Sequence, residues 1–137
     1  MLCNGAVSWK SQKQRCVALS TAEAEYVAMS AAAQESVWLR QLISELTNSL
    51  LGINPVLIYE DNQAAIAMAR NPQFHGRAKH IEIKHHFIRD QVARGTIKLE
   101  YCPTSQMIAD ILTKGLSRDS FCELREKSGV IAQCHVT

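Results

Sequence analysis

Ile58-Tyr59-Glu60-Asp61-Asn62-Gln63-Ala64-Ala65 is where an apolar run ends on carboxylates and a small-residue helix begins. Before it, Pro55-Val56-Leu57-Ile58-Tyr59 is β-branched and aromatic behind a proline, with Gly52-Ile53-Asn54 as a turn in front, which predicts a buried strand. After it, residues 62–69 are rich in strong helix formers and stop at Asn71-Pro72. Open α/β sheets place their ligands at the C-terminal ends of strands, just before a helix. Asp61 stands at such a place and is the first candidate for a metal ligand. The ordinary alternative is that Asp61 caps the helix.

The whole chain bounds this reading. Its 137 residues, 47% apolar and 20% charged, predict one globular region with a real core and a peripheral C-terminal tail. No stretch reaches the roughly 18 to 20 apolar residues of a membrane span, and no secretion signal opens the chain, so an intracellular address, cytoplasmic or nuclear, is expected. Five cysteines, odd in number and never spaced Cys-x-x-Cys, argue against a zinc site and a disulfide framework. The net charge of +2 hides an uneven distribution. Arg70, Arg77, Lys79, Lys84, Arg89, Arg94 and Lys98 face only Glu82 and Asp90 over that interval, a stretch suited to phosphates or, alternatively, to a solvated helix face. His80, His85 and His86 lie there without a nearby cysteine, and neighbouring His85 and His86 point apart on a helix, which weighs against zinc.

Upstream, Asn4-Gly5 between apolar runs predicts a hairpin over residues 2–9, with the strand running on or a third following at Cys16 to Leu19. Ser20-Thr21-Ala22-Glu23 is a capping box, in which Ser20 accepts the Glu23 amide and Glu23 reaches back to the Ser20 amide. A long helix follows, its expected buried stripe Ala28, Ala32, Leu39, Leu42 and Leu46, widened by Val27, Ala31, Trp38 and Ile43. With Glu23 occupied in the cap, Glu25 is the glutamate placed at the edge of that stripe, where it can face a neighbouring strand end or remain an ordinary exposed residue.

Downstream, Ile81, Ile83, Phe87, Ile88 and Val92 predict a helix from about His80 to Arg94, closed by Gly95. Residues 96–102 alternate as a half-buried strand ending at Pro103. Another helix is expected over Met107 to Lys114, with Asp110 near its start, where the helix dipole alone can explain an acid. A short helix is expected at Arg118 to Glu126. Carboxylates contributed by separate elements suit metal-assisted phosphoryl hydrolysis, since Mg²⁺ takes oxygen ligands in near-octahedral geometry.

Five ordered motifs carry a resemblance over about Asn4 to Leu116. They are Ser8-Trp9-Lys10-Ser11-x-Lys13-Gln14, Ala18-Leu19-Ser20-Thr21-Ala22-Glu23-Ala24-Glu25-Tyr26, Asp61-Asn62-Gln63-x-Ala65-Ile66, Lys79-His80-Ile81-x-Ile83-x-x-His86-Phe87-Ile88-Arg89 and Ala109-Asp110-Ile111-x-Thr113-Lys114. Together they resemble the ribonuclease H domain that ends the copia-type retrotransposon Pol polyprotein. The resemblance implies an α/β, ribonuclease H-like mixed β-sheet flanked by helices over residues 1–116, N-terminally truncated, with 117–137 a tail. It also implies hydrolysis of RNA in RNA–DNA hybrids by two Mg²⁺ ions, with Mn²⁺ as an alternative, downstream of a reverse transcriptase domain. No small-molecule cofactor and no membrane partner are implied.

By motif, Glu25, Asp61 and Asp110 correspond to the family's helix glutamate, central aspartate and late aspartate, serving as catalytic metal ligands. Asn62, Gln63, Arg70, Arg77, Lys79, Lys84 and Arg89 are the candidate nucleic-acid contacts. Two departures stand out. The family's first aspartate belongs to a first strand for which this sequence has no counterpart, since residues 1–19 contain no Asp or Glu. The histidine that cellular ribonucleases H carry before the late aspartate is also absent from Cys102 to Gln106. Weak or no cleavage by this chain is therefore expected, the alternative function being a non-catalytic module that binds nucleic acid or a protein partner.

Overall fold

The computed structural model describes residues 5–47, 54–71 and 79–130, with side chains of the third stretch from His86 onward. Two compact units emerge, one formed by residues 17–102 and the other by residues 1–16 with 103–137.

The larger unit is built on two parallel strands, β1 (Val56–Glu60) and β2 (Ile97–Tyr101). Their register runs from Val56 opposite Ile97 to Glu60 opposite Tyr101, and flanking bonds from Val56 N to Thr96 O (2.9 Å) and Cys102 N to Glu60 O (3.0 Å) extend it. Parallel pairing needs a long crossover, supplied here by helices α2 (Gln63–Arg70) and α3 (Lys79–Ala93). Ahead of the sheet lies the helix α1 (Thr21–Thr47). The strands expected before Asp61 and before Pro103, the crossover helices and the long first helix are thus present, while the sheet is two-stranded and parallel among the described residues, rather than mixed.

Alternation along the strands decides which side chains meet the helices. Ile58 and Glu60 of β1, with Ile97 and Leu99 of β2, turn inward, while Leu57 and Tyr59 stay exposed. The inward apolar residues join Tyr26, Met29 and Ala33 of α1, Ala65, Ile66 and Ala69 of α2, and Ile88 of α3. Gly95, at φ +67°, ends α3 in the left-handed region where glycine carries no steric cost.

α1 buries Val27 of the expected stripe and half-buries Leu39, Leu42 and Ile43, but the face it turns to the core is otherwise rotated from the expected one. Tyr26, Val27, Met29, Ser30 and Ala33 are buried, whereas Ala28, Ala31 and Ala32 are exposed and Trp38 and Leu46 are 53% and 76% exposed. The physical reason is size. A tyrosine and a methionine bury far more apolar area than alanines, so they set the rotation of the helix. The capping box forms in altered shape, with Glu23 N donating to Ser20 Oγ at 3.2 Å and the Glu23 carboxylate accepting from the Leu19 amide instead of that of Ser20.

In the smaller unit, the segment expected as an α-helix over 107–114 forms a 3₁₀ turn, Ile108–Leu112, which follows another at Thr104–Gln106. Their amides reach back three residues, as in Asp110 N to Met107 O (3.2 Å) and Thr113 N to Asp110 O (3.1 Å). Helix α4 (Arg118–Lys127) starts on Ser117, whose side chain accepts the Ser120 amide, and buries Leu124. The expected strands after the Asn-Gly pair do not form over residues 6–19: Trp9, Val17 and Leu19 are 71%, 83% and 86% exposed, and Ala6 N instead donates to Ser128 O at 3.1 Å. Residues 2–4 of that hairpin lie outside the described part.

Candidate metal centre

β1 ends on Glu60, and the chain bends through Asp61 before α2 begins. The cap of α2 is Asn62, whose side chain accepts the Ala65 amide at 3.1 Å from an extended backbone. The capping alternative for Asp61 is thereby removed, because a neighbour does that work. Across from this bend stands α1, whose residue Glu25 lies one turn before the buried Met29 and beside the fully buried Tyr26.

The outcome is a trio. Carboxylate oxygens of Glu25, Glu60 and Asp61 all lie within 4.8 Å of one another. Glu25 and Asp61 are half-buried, and Glu60 is only 6% exposed. Burial, first, and then the charges of Glu25 and Asp61 push the Glu60 carboxyl up from 4.5 to about 7, against the downward pull of the Asn62 amide, which donates to Glu60 Oε1 at 3.0 Å. Crowded carboxylates repel in the absence of a cation. Three oxygen donors at this spacing could hold a divalent ion such as Mg²⁺, which would have to displace the proton that burial and the other two acids favour on Glu60.

Of the expected acids, Glu25 and Asp61 therefore come together, and Glu60 joins them. Sequence reasoning passed over Glu60, although its signal was present: two residues after the inward-facing Ile58, strand alternation turns it to the same side. Asp110 belongs to the other unit, where it is 6% exposed and Lys114 Nζ lies 2.9 Å from each of its oxygens. The ion pair neutralises a carboxylate that burial would otherwise penalise.

The candidate nucleic-acid contacts divide by their bonds. Asn62 is committed to the cap, and exposed Gln63 lines a shallow groove between α2 and β2 together with Arg70, Lys98 and Tyr101. Arg70 Nη2 donates to Leu99 O at 2.8 Å, tying α2 to β2, and Arg89 donates from Nε and Nη2 to Met68 O at 3.4 Å, tying α3 to α2. Both arginines thus brace the fold. Arg77 lies outside the described residues, as do the side chains of Lys79 and Lys84. No helix among the described residues is long and apolar enough to cross a membrane.

A parallel strand pair with helices in its crossover and acids gathered at its C-terminal end defines an α/β protein with a cation-suited site at the strand ends. Comparison with known proteins finds this chain similar to Pol polyproteins of transposons. It is 39% identical over 126 residues to the retrovirus-related Pol polyprotein from transposon TNT 1-94 of Nicotiana tabacum, a match covering 92% of this chain and 9% of that protein. It is 42% identical over 125 and 124 residues to those from transposons RE2 and RE1 of Arabidopsis thaliana, covering 91% and 90% of this chain and 8% of each relative. The chain is similar to a region of these Pol polyproteins and spans under a tenth of their length. No protein-family model and no solved structure matches it.

Proposed function

We propose that this region is the ribonuclease H domain of a copia-type Pol polyprotein, hydrolysing the RNA strand of RNA–DNA hybrids inside the cell after reverse transcription. The observation that carries the reading is the trio of Glu25, Glu60 and Asp61 within 4.8 Å at the end of β1, in a chain similar over nine tenths of its length to Pol polyproteins. Glu25 and Asp61 would hold Mg²⁺, with Glu60 alongside, and Asp110 would act with them by its place in the family motif. Bound there, the ion would supply electrophilic stabilisation of the phosphoryl oxygens and an activated water.

The protein's own groups supply the rest. Asp61 is held on a bend fixed between a paired strand and a capped helix, so its carboxylate needs little rearrangement to meet a ligand. A sugar–phosphate backbone would lie along the polar groove lined by Gln63, Arg70, Lys98, Glu100 and Tyr101, where Lys98 pairs with Glu100 at 2.7 Å. Contacts to 2′-hydroxyls would tell RNA from DNA.

Incubation of the purified chain with Mg²⁺ and a labelled RNA–DNA hybrid tests the reading. Mg²⁺-dependent release of RNA fragments, lost in Asp61→Asn, is expected. Cleavage undiminished in Asp61→Asn would refute the assignment. Salt-sensitive hybrid binding without any cleavage would favour a non-catalytic ribonuclease H-like module.

A further inference from the structure

We infer that Glu60 is a positioning residue, whose buried carboxylate sets the bend that carries Asp61 by accepting the Asn62 amide. The inference rests on the cation-binding reading of Asp61 given above. Asp61 lies between two anchored ends. On the strand side, Glu60 O accepts from Cys102 N at 3.0 Å, which closes the ladder beyond the last register pair. On the helix side, Asn62 Oδ1 accepts from Ala65 N at 3.1 Å and Asn62 O accepts from Ile66 N at 3.1 Å, which fixes the first turn of α2. The bond from Asn62 N to Glu60 Oε1, at 3.0 Å, joins these two anchors across the single residue Asp61.

Burial makes this bond directive. The Asn62 amide has no place in a strand ladder or in the helix, and half-buried as the residue is, it would be left without a partner if Glu60 could not accept. Glu60 is itself packed to 6% exposure on the inward side of β1, beyond Ile58, so its side chain has little freedom to swing away. A rigid acceptor therefore reads out the end of the sheet and passes it to the start of α2. An oxygen acceptor at this position is what the role requires. A negative charge is not.

The requirement separates positioning from a purely electrostatic contribution. Glu60→Gln and Glu60→Met both remove the charge and both fill the space, but only Gln can accept from Asn62. Amide hydrogen exchange, followed by NMR, is expected to show the Asn62 and Ala65 amides protected in the unmodified chain and in E60Q, and exchanging about tenfold faster in E60M. Titration with Mn²⁺, followed by the paramagnetic signal of the free ion, is expected to show E60Q binding about tenfold more tightly than E60M.

Equal exchange at Asn62 in E60Q and E60M, or equal Mn²⁺ affinity of the two, would overturn the proposal. Should E60M fail to fold, E60L serves as a second variant without an acceptor. An Asn62 amide that exchanges in the unmodified chain as fast as an unstructured amide would overturn the proposal by itself. Absence of Mn²⁺ binding in the unmodified chain would instead remove the cation-binding reading of Asp61, and the exchange comparison would still decide whether Glu60 holds the bend.

Discussion

Replacing Glu60 by glutamine removes a carboxyl that burial and two neighbouring acids push from 4.5 to about 7, without changing its size. Because its folded value lies above its unfolded one, the folded chain binds more protons than the unfolded chain between those limits, and stability falls as pH rises from about 4.5 to about 7. At ~1.4 kcal/mol for each tenfold change in proton affinity, the ceiling on this loss is about 3 kcal/mol, and solvent reaching the half-buried Glu25 and Asp61 reduces it to about 1 to 2 kcal/mol. The glutamine of E60Q carries no charge at any pH. E60Q should therefore be more stable than the unmodified chain at pH 8 by about 1 to 2 kcal/mol, or about 3 to 8 °C in Tm, and the two should converge near pH 4.5. Thermal melts followed by circular dichroism from about pH 4.5 to 8.5, without divalent ions, measure this. A variant less stable than the parent at pH 8, or one with an unaltered pH profile, would refute the claim that burying the charge of Glu60 beside two other acids opposes folding.

Four further outcomes are expected from denaturant or thermal unfolding. Asn62→Ala removes the cap of α2 and should destabilise by about 1 kcal/mol. Ile88→Ala opens a cavity where α3 meets the core and should destabilise by about 2 to 5 kcal/mol, far above the effect of truncating exposed Leu46. Lys114→Ala leaves Asp110 buried without its cation and should destabilise by about 1 to 3 kcal/mol, whereas Lys114→Arg should recover most of that loss. Ser30 Oγ is buried in α1 with no hydrogen-bond partner among the described residues, so Ser30→Ala should stabilise by about 1 kcal/mol.

Periodicity and punctuation made most of the secondary structure legible. Ser20 and Glu23 marked the start of α1, Pro55 and Tyr59 bracketed β1 to within a residue, and Gly95 marked the end of α3, because caps, prolines and glycines act through bonds and torsions within a few residues. Readings that needed a distant partner fared differently. Cys16 to Leu19 has the composition of a strand yet remains outside the sheet, since a strand exists only through the ladder it joins. The 3₁₀ form of residues 108–112 replaced an expected α-helix, a difference of one residue in hydrogen-bond span that composition does not distinguish.

By itself, the sequence determined that Asp61 follows a strand and precedes a helix, that Glu25 lies early in a long helix, and that the motifs containing them match a Pol polyprotein pattern. Such facts are local in the chain, and the forces behind them are local as well. Tertiary structure alone decided which acids meet. Packing of Tyr26 and Met29 rotated α1 so that Glu25 approaches the end of β1, and the pleat of β1 buried Glu60 beside Glu25 and Asp61. Approach to within 4.8 Å by side chains 35 residues apart arises from core packing, and no spacing rule along the chain encodes it.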